Sequence, residues 1–106
     1  MKTDFLVIGS GAAGLSFALK AAAHGHVTIV TKGEMNECNT NYAQGGICSV
    51  TYAPDTFEKH IHDTLVCGAG KCDPEAVELV VRRAPELIRD LIAWGTRFDK
   101  TPDGRF

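Results

Sequence analysis

The sequence has little excess charge and few aromatic residues. Its 11 basic and 13 acidic residues leave a net charge of −2, and aromatic residues make up 8% of the chain. Proteins that bind nucleic acid or an anionic membrane surface usually carry a basic excess. We therefore expect no nucleic-acid partner and no membrane partner. The hydrophobic fraction of 44% is typical of a small soluble globular protein.

The chain also lacks paired cysteines and a hydrophobic run long enough to cross a membrane. No C-x-x-C pair occurs among its four cysteines, so we expect reduced thiols and no metal site. The uncharged run at 5–19 is fifteen residues long, whereas a spanning helix needs about 20 apolar residues. Asp4 precedes the run where a signal peptide would be basic. The sequence predicts a cytoplasmic protein.

A glycine motif directly follows the first predicted strand. Phe5–Ile8 is a short apolar run, and Gly9, Gly11 and Gly14 after it have the G-x-G-x-x-G spacing. Ala12–His24 is predicted to be a helix. In this context the glycines allow a tight turn, the approach of a pyrophosphate and close helix–strand packing. The free N–H groups of the helix N-terminus favour phosphate binding. The motif therefore indicates dinucleotide binding rather than an ordinary glycine-rich turn.

The residues at the end of the second predicted strand do not decide which dinucleotide the chain binds. We predict a strand at Val27–Thr31, after the helix Ala12–His24, for which Gly25 is the predicted C′ residue. NAD-binding folds usually place an acidic residue at the end of this strand for the ribose hydroxyls. This chain has Lys32, with Glu34 two residues further on. The lysine fits NADP or a flavin dinucleotide better than NAD, and a solvent-exposed lysine without a ligand is an equal alternative.

The segment Gly33–Ser49 shows neither helical nor strand periodicity. It is polar, rich in amide side chains, and contains the pair Gly45 and Gly46. A long irregular segment in a compact domain is more often functional than idle. Closely spaced amides, hydroxyls and glycines suit close approach to a planar, polar ligand.

Two helices are predicted in the second half of the chain. The first opens at Asp55 and ends at the Gly-Ala-Gly sequence that begins at Gly68. The second opens at Asp73, is kinked or restarted by Pro85, and ends at Gly95.

Short strands at Ile47–Tyr52 and Thr96–Lys100 and a turn at Pro102–Gly104 complete the predicted elements. The fold class is α/β, with a Rossmann-like βαβ unit in an incomplete doubly wound domain, because such a domain needs more strands than these. We expect the sequence to be the N-terminal piece of a longer protein.

Four segments together resemble one enzyme family. Gly-Ser-Gly-Ala-Ala-Gly at 9–14, Lys-Gly at 32–33, Tyr-Ala-Gln-Gly-Gly-Ile at 42–47 and the stretch 62–70 are similar to the L-aspartate oxidases. That family is related to the flavoprotein subunits of succinate dehydrogenase and fumarate reductase. The resemblance implies a discontinuous FAD-binding domain, with the capping and C-terminal helical domains absent from this chain.

The resemblance also implies non-covalent FAD as the cofactor, and favours FAD over NADP at Lys32. The pyrophosphate would lie against residues 10–13, Lys32 at the adenosine end, and residues 39–46 beside the ribityl chain and isoalloxazine. The implied cofactor-binding residues are Gly9, Ser10, Gly11, Ala12, Ala13, Gly14, Lys32, Asn39, Thr40, Asn41, Tyr42, Ala43, Gln44, Gly45 and Gly46.

The implied reaction is oxidation of L-aspartate to iminoaspartate in NAD biosynthesis, with oxygen or fumarate as electron acceptor. Quinolinate synthase would be the functional partner. No residue of this chain is assigned as catalytic, since the family's substrate-binding groups lie downstream of Phe106, and the chain alone is expected to be inactive. Two alternatives are a soluble fumarate reductase or succinate dehydrogenase-type flavoprotein, and a non-enzymatic nucleotide-binding module.

The attachment of the flavin can be tested directly. Members of the superfamily with covalent flavin carry a histidine where this chain has Asn39. We expect acid denaturation of the intact protein to leave the yellow colour in the supernatant. Colour that stays with the precipitate would contradict non-covalent binding and favour the dehydrogenase branch.

Overall fold

The computed structural model describes residues 2–105, and these divide into two compact units, one up to Gly46 and one from Ile47 onward. The first unit contains strands β1 (Phe5–Ile8) and β2 (Val27–Val30) and helices α1 (Ala12–Ala21) and α2 (Asn39–Tyr42). The second unit contains helices α3 (Phe57–Cys67) and α4 (Pro74–Ala93). Within residues 2–105, no helix combines the length and apolar character needed to cross a membrane.

The first unit is a parallel β-α-β arrangement. β1 and β2 pair in parallel, from Phe5 opposite Val27 to Ile8 opposite Val30, and α1 connects them. The prediction of β1 is confirmed in both bounds, and β2 ends one residue before its predicted end. Parallel strands require such a crossover, because the end of the first strand and the start of the second lie at opposite edges of the sheet.

α1 covers one face of the two-stranded sheet. The rings of Phe5 and Phe17 meet edge to face with centroids 6.4 Å apart, and Val7 and Ala18 are buried. Ile8, whose side chain points to the other face, is 84% exposed. One face of the sheet is therefore packed, whereas parallel sheets are normally covered on both faces.

The C-terminus of α1 differs from the prediction. The helix ends at Ala21 with Ala22 as its C-cap, three residues before the predicted end. Gly25 is not the residue that ends it, so that prediction was wrong. A Cβ at Gly25 would lie 2.7 Å from Oδ2 of Asp4, and this oxygen accepts a hydrogen bond from the His26 N–H at 2.8 Å. Gly25 therefore makes room for the carboxylate that holds the start of β2.

The N-termini of α3 and α4 are capped by side chains. Asp73 caps α4 as predicted, since its Oδ1 accepts from the N–H of Glu75 at 2.9 Å and of Ala76 at 3.3 Å. α3 begins one residue later than predicted. Its cap is Thr56, whose hydroxyl accepts from the backbone N–H of Lys59 at 3.2 Å.

α4 is one helix of 20 residues with Pro85 inside it, so of the two predicted effects of Pro85 the restart does not occur, and the kink stays a prediction. Pro85 cannot donate a hydrogen bond to the carbonyl of Val81, but Val81 is buried, and packing stabilises the turn around it. Gly95 ends the helix as predicted, at φ +101°. Its N–H donates to Ile92 and that of Thr96 to Leu91, which is the Schellman arrangement.

The two short strands predicted in the second unit are not present among residues 2–105. Neither 47–52 nor 96–100 is part of a sheet, and β1–β2 is the one strand pairing in the described chain. A strand needs a partner for its N–H and C=O groups, and alternating hydrophobicity does not supply one. The predicted turn is confirmed, because the N–H of Gly104 donates to the carbonyl of Thr101 at 2.8 Å.

Close packing of α1 on β1 depends on Gly14. A Cβ at this position would overlap the carbonyl oxygen of Gly9 and lie 3.3 Å from Cγ1 of Val7. In the intact protein, we expect Gly14→Ala to lower the free energy of unfolding by about 1–3 kcal/mol, as overpacking does. Chemical denaturation measures this change.

Gly33→Ala is the matched control for this prediction. A Cβ at Gly33 would meet nothing within 4 Å, and its φ is not positive, so we expect no destabilisation. Equal effects of the two substitutions would contradict the packing role of Gly14.

Candidate functional site

A cleft of about 600 Å³ lies in the first unit, at the carboxyl ends of β1 and β2. This edge of a parallel sheet is where open α/β folds bind ligands. The wall of the cleft combines the end of each strand, the glycine loop and the segment around α2. Its lining residues are Ile8, Gly9, Ser10, Gly11, Val30, Thr31, Lys32, Glu37, Cys38, Asn39 and Tyr42.

The glycine loop is shaped by backbone geometry. Gly9 has φ +108°, a conformation that side-chain-bearing residues rarely adopt, and its N–H donates to the carbonyl of Val30 at 2.8 Å. Ser10 is buried beside it, with 4% of its surface exposed. Gly11 is the N-cap of α1 and has no side chain to cap the helix. Gly11 lines the cleft and therefore adds no side chain of its own between the cleft and the N-terminus of α1.

One N–H group at this N-terminus has a partner in the protein. The N–H of Ala12 donates to the hydroxyl of Thr40 at 3.1 Å. The first N–H groups of a helix have no partner within the helix, so the hydroxyl satisfies one of them. A hydroxyl that accepts this bond still has a proton to donate. Thr40 thus joins the segment around α2 to the glycine loop.

The short helix α2 was not predicted. Gly33–Ser49 was expected to lack regular structure, but Asn39–Tyr42 forms one helical turn, in which the N–H of Asn41 donates to the carbonyl of Cys38 at 3.0 Å. A single turn of four residues is too short to show a hydrophobic period of 3.6.

Two charged side chains line the cleft. Lys32 follows β2 as predicted, and Glu37 lies further along the same segment. The hydroxyl of Tyr42 donates to Oε2 of Glu37 at 2.7 Å. This hydrogen bond raises the pKa of Tyr42, because loss of the proton would break the bond and place a second negative charge beside the carboxylate. The cleft therefore holds one cation and one hydrogen-bonded carboxylate.

Six of the predicted cofactor-binding residues line this cleft, and they come from three separate segments. They are Gly9, Ser10, Gly11, Lys32, Asn39 and Tyr42. Ala12 and Thr40 contact each other at its edge. The other predicted residues do not line it, and their role stays a prediction. They are Ala13, Gly14, Asn41, Ala43, Gln44, Gly45 and Gly46.

The sequence prediction missed Glu37 and Cys38. Glu34, the acidic residue nearest to Lys32 in the sequence, does not line the cleft, whereas Glu37 does. The backbone folds back between them, since the N–H of Glu37 donates to the carbonyl of Glu34 at 3.0 Å. No spacing rule predicts such a turn. The position of Glu37 five residues before Tyr42 is a weak signal that the two side chains can meet.

The arrangement suits a dinucleotide with phosphates in its middle. The N-terminus of α1, where Thr40 accepts from the N–H of Ala12, still offers further N–H donors and a positive dipole end to a pyrophosphate. Lys32 follows the end of β2, the position at which such folds hold the nucleotide ribose. Among residues 2–105, no group of three or more His, Cys, Asp or Glu side chains could hold a metal ion.

Nearly all of the chain is similar to known FAD-binding proteins. A family model described as FAD binding domain matches residues 4–106. L-aspartate oxidase 2-a, chloroplastic, of Nicotiana tabacum is 54% identical over 101 residues, which are 95% of this chain and 16% of that protein. L-aspartate oxidase of Yersinia pestis is 50% identical over 97 residues, 92% of this chain and 18% of that protein.

A solved structure shares the fold. A variant of E. coli quinol fumarate reductase FrdA matches with a TM-score of 0.89 and 30% identity, over 99% of this chain and 18% of that chain. The present chain thus spans less than a fifth of the length of each of these three proteins.

Gly11 provides a test that separates binding from folding. A Cβ at Gly11 would lie 3.5 Å from Oγ1 of Thr40, an ordinary contact, so Gly11→Ala should leave the stability of the intact protein nearly unchanged. The added methyl group would lie beside the N–H donors of α1. We expect the Kd for FAD to rise about tenfold or more, measured by quenching of flavin fluorescence. An unchanged Kd would mean that the phosphates do not bind at this N-terminus. Gly33→Ala is again the control, and it should leave the Kd unchanged.

Proposed function

Because the chain belongs to the FAD binding domain family, we propose that it is the FAD-binding segment of an L-aspartate oxidase. The observation that carries this proposal is the identity of about half of its residues with enzymes of that name. The identity to the fumarate reductase structure is markedly lower. The intact protein would oxidise L-aspartate to iminoaspartate with oxygen or fumarate as the acceptor.

The residues of the cleft fit FAD. We propose that the loop Gly9–Gly11 and the N-terminus of α1 bind the pyrophosphate, because Gly9 and Gly11 have no side chain to obstruct its approach. Lys32 would lie at the adenosine end. Thr40, already bonded to Ala12, would donate its hydroxyl proton toward the phosphates. When bound, the flavin supplies the acceptor for a hydride.

The segment 39–46, which begins with α2, would lie beside the ribityl chain and the isoalloxazine ring. This proposal covers residues 39–46, of which Asn39 and Tyr42 line the cleft. Gly45 has φ +111° and no atom within 4 Å of a Cβ placed on it, so its backbone can approach a planar ring. An asparagine amide is a poor nucleophile, which supports non-covalent attachment of the flavin at Asn39.

We further propose a Rossmann-like fold for the first unit and a discontinuous FAD-binding domain of which these residues are the N-terminal part. The uncovered face of the sheet at Ile8 supports this, since a doubly wound domain would cover it. The capping domain, the C-terminal helical domain and the substrate-binding residues would lie in the rest of a longer polypeptide. No residue of the present chain is proposed as catalytic.

The cellular setting is also a proposal. Iminoaspartate is the product of the proposed reaction, and quinolinate synthase is the proposed functional partner in NAD biosynthesis. We propose a cytoplasmic location, although the Nicotiana tabacum relative is named as chloroplastic.

The alternative is a soluble fumarate reductase or succinate dehydrogenase-type flavoprotein. The structural similarity to quinol fumarate reductase FrdA supports it, because the two chains share the fold over nearly all of the present residues. The two functions use the same flavin and differ in the substrate that reduces it.

Reduction of the bound flavin distinguishes these functions. We expect anaerobic addition of L-aspartate to the intact FAD-loaded protein to bleach its visible flavin absorbance, and air to restore it. Succinate at the same concentration should leave the absorbance unchanged. Bleaching by succinate and not by L-aspartate would refute the oxidase proposal and favour the alternative.

A further inference from the structure

Hydrogen bonds, rather than burial, hold α2 in position. None of the four described residues Asn39–Tyr42 is buried, and the N-cap residue Cys38 makes no capping bond with its side chain. A single helical turn is not stable by itself, because the entropy lost in forming it exceeds what its hydrogen bond returns. The position of α2 in the cleft therefore depends on the groups outside the helix to which its side chains bind.

Thr40 and Tyr42 bind such groups in two different directions. The hydroxyl of Thr40 accepts from the N–H of Ala12 at 3.1 Å, on the side of the glycine loop. The hydroxyl of Tyr42 donates to Oε2 of Glu37 at 2.7 Å, on the side of the segment that follows β2. One bond alone leaves the turn free to rotate about that contact, whereas the two bonds together fix it.

Glu37 is suited to hold Tyr42 because its own backbone is ordered. Its N–H donates to the carbonyl of Glu34, and the N–H of Cys38 donates to the carbonyl of Asn36, both at 3.0 Å. A hydrogen bond from a phenol to a carboxylate is charge-assisted and stronger than a bond between neutral groups. The bond raises the pKa of Tyr42 above its ordinary value, so the phenol stays a donor at neutral pH.

The glycine loop is held independently of this bond. The N–H of Gly9 donates to the carbonyl of Val30 at 2.8 Å, and Gly14 allows α1 to pack against the same loop. A pyrophosphate bound at the N-terminus of α1 thus keeps its donors when α2 moves. The flavin half of FAD would instead lie beside residues 39–46, which begin with α2.

We propose that Glu37 is a positioning residue for the flavin. Through Tyr42 it holds α2, and with it the segment 39–46, in the conformation that binds the flavin half of FAD. The inference rests on the flavin site proposed above, and it requires no contact between Glu37 and the ligand. Loss of the bond should therefore weaken the binding of FAD more than the binding of a ligand that lacks the flavin.

The test compares FAD with ADP-ribose in the intact protein after its flavin has been removed. Both ligands carry the same charged pyrophosphate, so the effect of removing a carboxylate from the cleft cancels in the ratio of their Kd values. The Kd of FAD is measured by quenching of flavin fluorescence, and that of ADP-ribose by competition with FAD. We expect Glu37→Ala to raise the ratio of the FAD Kd to the ADP-ribose Kd about fivefold or more.

Rescue by a conservative variant separates the hydrogen bond from the charge. Glu37→Gln keeps an oxygen that accepts from Tyr42, and its ratio should stay close to that of the wild-type protein. Tyr42→Phe removes the donor and should raise the ratio as Glu37→Ala does, and the double variant should raise it no further. Glu34→Ala is the matched control and should have no effect, because Glu34 does not line the cleft.

Three results would overturn the inference. They are an unchanged ratio in Glu37→Ala, an equal rise in Glu37→Gln or Glu34→Ala, and effects of Glu37→Ala and Tyr42→Phe that add in the double variant. If Glu37→Ala does not fold, the comparison of Tyr42→Phe with Glu37→Gln gives the same decision, because Tyr42→Phe keeps the aromatic ring.

Failure of this inference is distinguishable from failure of the proposed function. The ratio measures nucleotide binding and needs no amino-acid substrate. Protein that shows the expected ratios, but whose bound flavin L-aspartate does not reduce, would refute the oxidase proposal and support the role of Glu37. Protein that L-aspartate reduces, with a ratio that Glu37→Ala does not change, would do the reverse.

Discussion

The close approach of α1 to the end of β1 is the constraint on which the first unit depends. Gly14 brings the helix against the carbonyl of Gly9, and a single methyl group there would separate them. Gly9 turns the chain in a conformation with φ +108°. Gly11 then begins the helix without a side chain. Together these positions place the donor end of a helix at the carboxyl edge of a parallel sheet, and the cleft follows from that placement.

The segment after β2 completes the cleft through a few hydrogen bonds. Thr40 contacts the first N–H of α1, and Tyr42 holds the carboxylate of Glu37. These two bonds anchor opposite sides of the one-turn helix α2. A four-residue helix is not stable by itself, because the first turn costs more conformational entropy than its hydrogen bonds return. The contacts of Thr40 and Tyr42 with the surrounding residues therefore stabilise α2.

Local signals in the sequence predicted local structure well. Asp73 caps α4 and Gly95 ends it, since each acts through hydrogen bonds within a few residues. The predicted strands at 47–52 and 96–100 were wrong because pairing depends on a distant partner. Gly25 was misassigned for the same kind of reason. Its small size serves the carboxylate of Asp4, 21 positions earlier, and not the end of the helix before it.

The sequence by itself determined the first strand, the dinucleotide motif and the family, because the spacing of Gly9, Gly11 and Gly14 carries its own geometric meaning. It also placed Lys32 at the end of β2. Only the tertiary structure decided that Glu37, and not Glu34, lies in the cleft with that lysine. It likewise decided that Thr40 meets α1. Such contacts depend on how an irregular backbone folds back on itself, and no residue period or spacing records that path.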